Sequence, residues 1–213
     1  IAGKALKNAY TGVVDIPGLK MQLFPYQKEG VMFLDLHDGR ALIADEMGLG
    51  KTAQSLAWLE LHQEYRPAIV VCPASLKLNW DKEAHMWMHD PKTQILAGTN
   101  PSARLIGEIL IINYDILPDW VSTLSKVKPK VLIMDEAHLA KNNAAKRTKA
   151  CKILAKTIPH IICLSGTPII NRPVEIYNAV RMIDPLALPT FWEFAHKFCN
   201  AKHNGFGWDF TGA

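Results

Sequence analysis

The sequence predicts an α/β domain, doubly wound around a largely parallel sheet with helices on both faces. Three observations carry this. Five short runs rich in β-branched residues, 41–44, 68–72, 109–112, 131–134 and 161–164, are apolar throughout instead of alternating, as strands buried on both faces are. Helical patterns lie between them, the alternation expected of a parallel sheet. Polar strings follow directly after several of the runs, where open α/β sheets hold ligands at the carboxyl ends of their strands.

The elements follow in order. Residues 1–22 are a lead-in: Ile1-Ala2-Gly3-Lys4 has no hydrophobic signal core and no initiator Met, so the sequence is expected to be an excerpt from a longer chain. The strand at 41–44 feeds a Gly-rich string and a helix over 51–64, where Leu56, Leu59 and Leu61 sit among good helix formers. The strand at 68–72 is followed by a loop at Pro73-Ala74-Ser75 and a helix over 78–88. Strands at 109–112, 131–134 and 161–164 complete the sheet. After Pro168 the pattern turns helical, with Pro173, Pro185 and Pro189 as punctuation and aromatics clustering from Phe191. The expected division is a lead-in at 1–22, a nucleotide-binding lobe at 23–185 and a helical or irregular extension at 186–213.

At 213 residues and 49% apolar content, the chain can fill a sizeable core. Its apolar runs are strand-sized, far short of the ~18 residues that span a membrane. A net charge of +4 permits a polyanionic partner without demanding one. The four cysteines, Cys72, Cys151, Cys163 and Cys199, have no C-x-x-C spacing, and Cys199 with His203 is too little for zinc. They read as reduced core residues in an intracellular protein, with no structural zinc and no membrane partner expected. The cytoplasm or nucleoid would suit a bacterial or phage source, the nucleus a eukaryotic one.

The first chemical motif is Asp45-Glu46-Met47-Gly48-Leu49-Gly50-Lys51-Thr52, between a strand and a helix, which is the setting of a phosphate loop. Gly48 and Gly50 let backbone N–H groups turn toward phosphate oxygens, and the following helix adds its positive end. Lys51 would reach the β- and γ-phosphates of ATP, and the Thr52 hydroxyl would ligate Mg²⁺. Asp45 departs from the G-x-x-x-x-G-K-[ST] pattern, which has Gly there. The second motif is Asp135-Glu136-Ala137-His138, after the strand at 131–134. Two adjacent acids can be mere helix caps. Downstream of a phosphate loop they supply what phosphoryl transfer needs, Asp135 to hold Mg²⁺ and Glu136 to position water. The third, Ser165-Gly166-Thr167-Pro168, looks like a turn in isolation. It follows a strand at the same sheet edge, within reach of His138 or the γ-phosphate.

In their order these blocks resemble superfamily-two helicases, and among them the Swi/Snf-type DNA translocases, whose N-terminal lobe is a RecA-like P-loop NTPase fold. The string from Ala44 to Thr52, followed by Gln54, is similar to that family's motif I, Asp45 included. Leu23-Phe24-Pro25-Tyr26-Gln27 resembles the Q motif, which implies Gln27 as reader of the adenine. The resemblance adds Asp45, Met47 and Leu49 to Gly48, Gly50, Lys51 and Thr52 as ATP-binding positions. Val71 to Leu76, continuing through Asn79-Trp80, resembles motif Ia, and Ile112-Asn113-Tyr114-Asp115 the segment ending in Tyr-Asp. Leu164 to Pro168, with Ile169, Asn171 and Pro173, resembles motif III. His138 is then expected to couple the DEAH box to Ser165, Gly166 and Thr167. Phe198-Cys199-Asn200-Ala201-Lys202, with Gly207-Trp208-Asp209-Phe210-Thr211-Gly212, resembles the annealing-helicase (HARP-like) branch.

The family's second RecA-like lobe, with its arginine fingers, is expected beyond residue 213, so the isolated lobe should turn ATP over poorly. The resemblance implies that Pro73, Ala74, Ser75, Asn113 and Tyr114 follow the backbone of duplex or forked DNA. The basic run Lys141, Lys146, Arg147, Lys149, Lys152 reads more readily as a solvated helix face than as a DNA contact. Trp58, Trp80 and Trp87 read as core. Two rivals stand beside the translocase: a strand-separating DNA or RNA helicase of the DEAH type, and a non-hydrolysing module that binds nucleotide or DNA.

Overall fold

The structure, a computed structural model, describes residues 16–101, 104–166, 174–203 and 208–209. Its first helix, α1 (Pro25–Leu36), starts on a proline, whose missing N–H has no helical partner at that position anyway. A turn with Asp38 and Gly39 at positive φ leads into β1 (Arg40–Ile43). Then come α2 (Lys51–Leu61), β2 (Ala68–Cys72), α3 (Lys77–Trp87), β3 (Thr93–Ile95) and β4 (Ile109–Asn113). They are followed by α4 (Leu117–Lys126), β5 (Val131–Met134), α5 (Lys146–Ala155) and β6 (His160–Leu164). Two more helices, α6 (Val174–Ile183) and α7 (Phe191–Phe198), precede a short antiparallel pair, β7 (Lys202–His203) and β8 (Trp208–Asp209).

Six strands form one sheet in the order β1-β6-β5-β2-β4-β3, and every pairing is parallel. Alternate residues of each inner strand serve opposite faces. Ala68, Val70 and Cys72 of β2, Ile109 and Ile111 of β4, and Ile133 of β5 meet α1, α2 and α3 on one side. Ile69, Val71, Leu110, Ile112, Leu132 and Met134 meet α4, α5 and α6 on the other. This two-faced burial is why the runs are apolar throughout.

The sheet has one strand more than the apolar runs predict. β3 pairs with β4 (Thr93↔Ile109) at the sheet edge, half-buried and only three residues long. An edge strand with Thr93 and Gln94 needs no two-faced apolar run, so it leaves none in the sequence. The helix predicted over 51–64 ends at Leu61 and gives way to a 3₁₀ turn at Gln63–Tyr65. His62 breaks it (φ −115°, ψ 62°), and its ring sits 2.7 Å from the Asp35 carboxylate and stacks on Tyr65.

The residues past β6 lie on the lobe through named contacts. Arg40 of β1 donates to the carbonyls of Ile183 (2.7 Å) and Met182 (3.0 Å) at the end of α6. Asn178 of α6 donates to the Ala140 and Lys141 carbonyls at 3.0 and 2.8 Å. α7 opens on a reciprocal cap, the Glu193 amide donating to Thr190 Oγ1 and the Thr190 amide to the Glu193 carboxylate. Tyr177, Phe194 and Cys199 make a small core of their own.

Candidate active site

The string after β1 wraps into a loop whose special geometry falls on its glycines. Gly48 and Gly50 take φ of +85° and +75°, and Gly50 is the left-handed residue from which α2 departs. A Cβ on Gly50 would meet Gln27 Nε2 at 2.3 Å. Gln27 is buried; its carbonyl oxygen accepts from the Phe24 amide (2.9 Å) and its Nε2 donates to Leu49 O (3.3 Å). The side chain expected to read a base thus also ties α1 to the loop. Asp45 has a use that glycine could not serve. Its Oδ2 accepts from Gln54 Nε2 of α2 at 2.8 Å, fixing the start of the loop to the helix at its end. Met47 and Leu49 are exposed, at 74% and 37%.

Lys51 donates to the carbonyls of Asp45 (2.8 Å) and Glu46 (2.9 Å), so its ammonium lies in the mouth of the loop on neutral acceptors. Gly166, after β6, comes against the same loop: a Cβ there would lie 2.5 Å from Met47 Cγ and 3.5 Å from Lys51 Nζ. Ser165 continues the ladder by donating its amide to Ile43 O (3.1 Å), while its hydroxyl is buried without a partner. Thr167 lies outside the described residues, as do Pro168, Ile169, Asn171 and Pro173.

Asp135 follows β5 and is 8% exposed. One carboxylate oxygen accepts from the Trp80 indole at 2.9 Å, the other from the Glu136 amide at 2.9 Å. Its carbonyl accepts from the Tyr114 hydroxyl at 2.8 Å. Burial pushes this carboxyl up from the usual range, with the neighbouring Glu136 charge in the same direction, against the lowering effects of the Trp80 and Glu136 N–H bonds and the Lys51 charge. Glu136 holds a left-handed backbone (φ 50°, ψ 53°), an uncommon state for a non-glycine residue. Its Oε2 is 3.2 Å from His138 Nδ1, outside hydrogen-bond geometry, so that ring nitrogen is buried without a bond. His138 thus lies against Glu136, and neither its Nδ1 nor the Ser165 hydroxyl makes a hydrogen bond.

The residues expected to meet nucleic acid divide. Ala74 and Ser75 are exposed and Pro73 half-buried at the start of α3. Asn113 and Tyr114 are 7% and 2% exposed, and the Tyr114 hydroxyl is spent on Asp135. Both residues are therefore buried in the lobe, and in the 113–115 loop Asp115 is the exposed residue. Burial holds the Tyr114 phenol well above its ordinary range, so it stays a donor. The basic run is not one helix face. Lys141 precedes α5 and pairs with Glu175 (2.8 Å), and Arg147 lies 3.6 Å from Asp115. Trp58 and Trp80 are buried as core residues, but Trp80 was legible only in part. A buried indole usually finds an acceptor for its N–H; Trp80 finds Asp135, whereas the Trp58 N–H has no hydrogen-bond partner.

Beside β1 and the loop runs a groove of about 600 Å³ lined by Tyr26, Gly30, Phe33, Asp45, Leu49 and Gln54. The residues present fit a nucleotide and a magnesium ion on their chemistry. Two left-handed glycines give the loop its curl, a lysine ammonium lies in its mouth on neutral carbonyls alone, and a desolvated carboxylate stands at the next strand end but one. Among the described residues no cluster of three or more His, Cys, Asp or Glu could hold a metal by itself. Magnesium, which binds through one or two carboxylates plus substrate phosphates, needs no such cluster.

A parallel sheet with a Gly-Lys-Thr loop after its first strand and an acidic pair after the next strand but one defines a RecA-like nucleotide-binding lobe. Residues 26–205 match the model of the SNF2-related domain, and the chain belongs to that family of ATPase domains. It is 37% identical, over 98% of its length and 31% of the relative's, to the SWI/SNF-related matrix-associated actin-dependent regulator of chromatin subfamily A-like protein 1 homolog of Caenorhabditis elegans. With the mouse DNA annealing helicase and endonuclease ZRANB3 it shares 32% identity over 97% of this chain and 20% of that protein. The SWI2/SNF2 ATPase core of Sulfolobus solfataricus in complex with dsDNA superposes with a TM-score of 0.80 at 28% identity, covering 89% of this chain and 41% of that one. The chain therefore spans less than a third of the curated relatives named here.

Proposed function

We propose that this chain is the ATP-binding lobe of a DNA-dependent ATPase that couples hydrolysis to movement on, or remodelling and reannealing of, duplex DNA. The observation that carries the reading is the convergence of Lys51, the Asp135-Glu136 pair and Ser165-Gly166 at one end of a parallel sheet. In this reading Lys51 leaves its two carbonyl acceptors for the β- and γ-phosphates, whose charge replaces neutral dipoles. The loop amides around Gly48 and Gly50, with the α2 N-terminus, hold the phosphate oxygens. Gln27, Asp45, Met47 and Leu49 shape the walls on which the rest of the nucleotide lies. Thr52 and Asp135 would hold Mg²⁺, which would supply charge neutralisation to the phosphates. Glu136 orients the attacking water and takes up its proton, and the adjacent His138 ring fixes the direction of the carboxylate.

The lobe carries half of an active site in this proposal. A second RecA-like lobe of the same protein closes over the nucleotide and brings the arginine that related phosphoryl-transfer systems use for roughly 10³–10⁵ in rate. DNA is met through phosphates, by the exposed Ala74-Ser75 turn and the outer side of the loop after β4 around Asp115, without base readout. The likeness to annealing helicases favours forked or partly melted duplex as substrate, and the protein would act wherever the cell keeps its DNA.

The test is steady-state ATP hydrolysis by the full-length protein with no nucleic acid, duplex DNA, forked DNA, single-stranded DNA and RNA in parallel. Strong stimulation by duplex or forked DNA is the expected result. Stimulation by RNA alone would transfer the protein to the strand-separating helicases, and no hydrolysis under any condition would leave a binding module.

A further inference from the structure

Asp135 is held from two directions by elements that adjoin the edge of the lobe proposed above to meet nucleic acid. Trp80 lies on α3, the helix that begins just after the exposed Ala74-Ser75 turn, and its indole N–H donates to Asp135 Oδ2 at 2.9 Å. Tyr114 directly follows β4, in the loop whose outer side carries Asp115, and its hydroxyl donates to Asp135 O at 2.8 Å. Both side chains are essentially fully buried, at 1% and 2% exposure. The remaining polar groups of Asp135 are also engaged, its amide donating to Val71 O (2.8 Å) and Oδ1 accepting from the Glu136 amide. Carboxylate orientation and strand-end position are thus set by two aromatic residues, each of which sits in a segment adjoining the outer surface.

From this geometry we infer that Trp80 and Tyr114 are positioning residues that link nucleic acid at the 73–75 and 113–115 segments to the aim of the Asp135 carboxylate. The inference rests on the reading of Asp135 as the magnesium carboxylate. Packed interiors transmit small displacements because they have no slack to absorb them. A shift of the α3 N-terminus or of the loop after β4 on meeting a phosphate backbone therefore moves an indole N–H or a phenol hydroxyl that is bonded to Asp135. Both bonds end on Asp135, that of Trp80 on the carboxylate and that of Tyr114 on the main-chain carbonyl, so their effect runs through the placement of that one residue. This places the dependence of turnover on DNA in two hydrogen bonds inside this lobe, in addition to whatever the second lobe contributes.

The experiment compares full-length wild type with Trp80→Phe and Tyr114→Phe. Binding of a non-hydrolysable ATP analogue is measured with Mg²⁺ and in EDTA, affinity for a duplex oligonucleotide without nucleotide, and ATP turnover with and without that duplex. Tyr114→Phe removes one oxygen and no ring, so it tests the idea even where Trp80→Phe disturbs the core. A thermal melt of each protein establishes that it is folded. Each variant should lose roughly tenfold of the tightening that Mg²⁺ gives to the analogue, and a similar factor of DNA stimulation, as fits a lost hydrogen bond at a charged or buried group. Analogue affinity in EDTA and duplex affinity should stay at the wild-type level, which a merely unfolded or loosened protein could not achieve. Folded variants with wild-type Mg²⁺ tightening would overturn the inference. Weaker tightening with undiminished DNA stimulation would overturn the link to nucleic acid. A wild-type protein that binds the analogue equally with and without Mg²⁺ would remove the reading of Asp135 itself, a result visible before any variant is made.

Discussion

On the proposed reading, Glu136 and Lys51 carry the chemistry at the scale of single residues, and each can be tested by a change that leaves the backbone in place. Glu136 occupies a left-handed backbone position beside His138, which turns its carboxylate out of the sheet ladder. Glu136→Gln keeps the shape and loses the base, so analogue binding should persist while turnover falls by at least ~10²-fold, the low end for general-base removal. Near-normal turnover in a stopped-flow phosphate-release assay would remove the assignment. Lys51→Ala should abolish measurable nucleotide binding by calorimetry without lowering the melting temperature much, because its ammonium holds two loop carbonyls and supports no core. At this scale the sequence was legible where a residue's chemistry is fixed by its string, as in Gly-Lys-Thr or Asp-Glu. It was silent where the role depends on a distant partner. That Asp45 bonds Gln54, that Trp80 bonds Asp135 and that Tyr114 turns inward are facts of packing between residues 9, 55 and 21 positions apart.

At the scale of elements, the turn between α1 and β1 shows how closely the pieces fit. Gly39 has φ +64°, and a Cβ there would lie 2.4 Å from the Trp58 ring and 3.1 Å from His160. Trp58 is fully buried and cannot yield. Gly39→Ala should therefore cost about 2–4 kcal/mol in urea denaturation, summing left-handed strain and overpacking. A change below 0.5 kcal/mol, the ordinary surface-mutation range, would mean that the ring moves aside. The inner strands could be read from the sequence because burial on both faces writes itself as an unbroken apolar run. β3 could not, since an edge strand of Thr93, Gln94 and Ile95 has one neighbour and little to bury. The early end of α2 was equally hidden, for it is decided by His62 finding Asp35 on another helix.

At the scale of the whole lobe, two apolar layers flank the six-stranded sheet; Cys72, Cys151 and Cys163 lie within them and Cys199 in the small core with Tyr177 and Phe194, each buried and free. Burial pushes Cys72, Cys151 and Cys163 up to about 12 from an ordinary 9.0. Native protein at pH 8 should leave all four thiols unmodified by iodoacetamide in mass spectrometry and yield all four in denaturant. The sign for stability follows from the raised values. The contribution of these thiols is intact below about 9 and is lost as pH rises toward 12, since the unfolded chain ionises first. The fold class was open to sequence reading as a whole because an alternation of strands and helices admits few arrangements.

The strand order β1-β6-β5-β2-β4-β3 has a further consequence for how the chain is made. β1 pairs only with β6, Arg40 against Ile161, so the strand that bears the phosphate loop waits for a partner about 120 residues downstream. At a synthesis rate of about 5–20 residues per second, that wait is on the order of ten seconds. During it β2, β4 and β3 can already pair with one another, while the Ala41–Ile43 segment remains an apolar strand with no neighbour on either side. On the ribosome, then, the nucleotide site cannot be completed until β6 emerges, and until that moment the newborn segment that leads into the phosphate loop is an apolar strand in search of a partner.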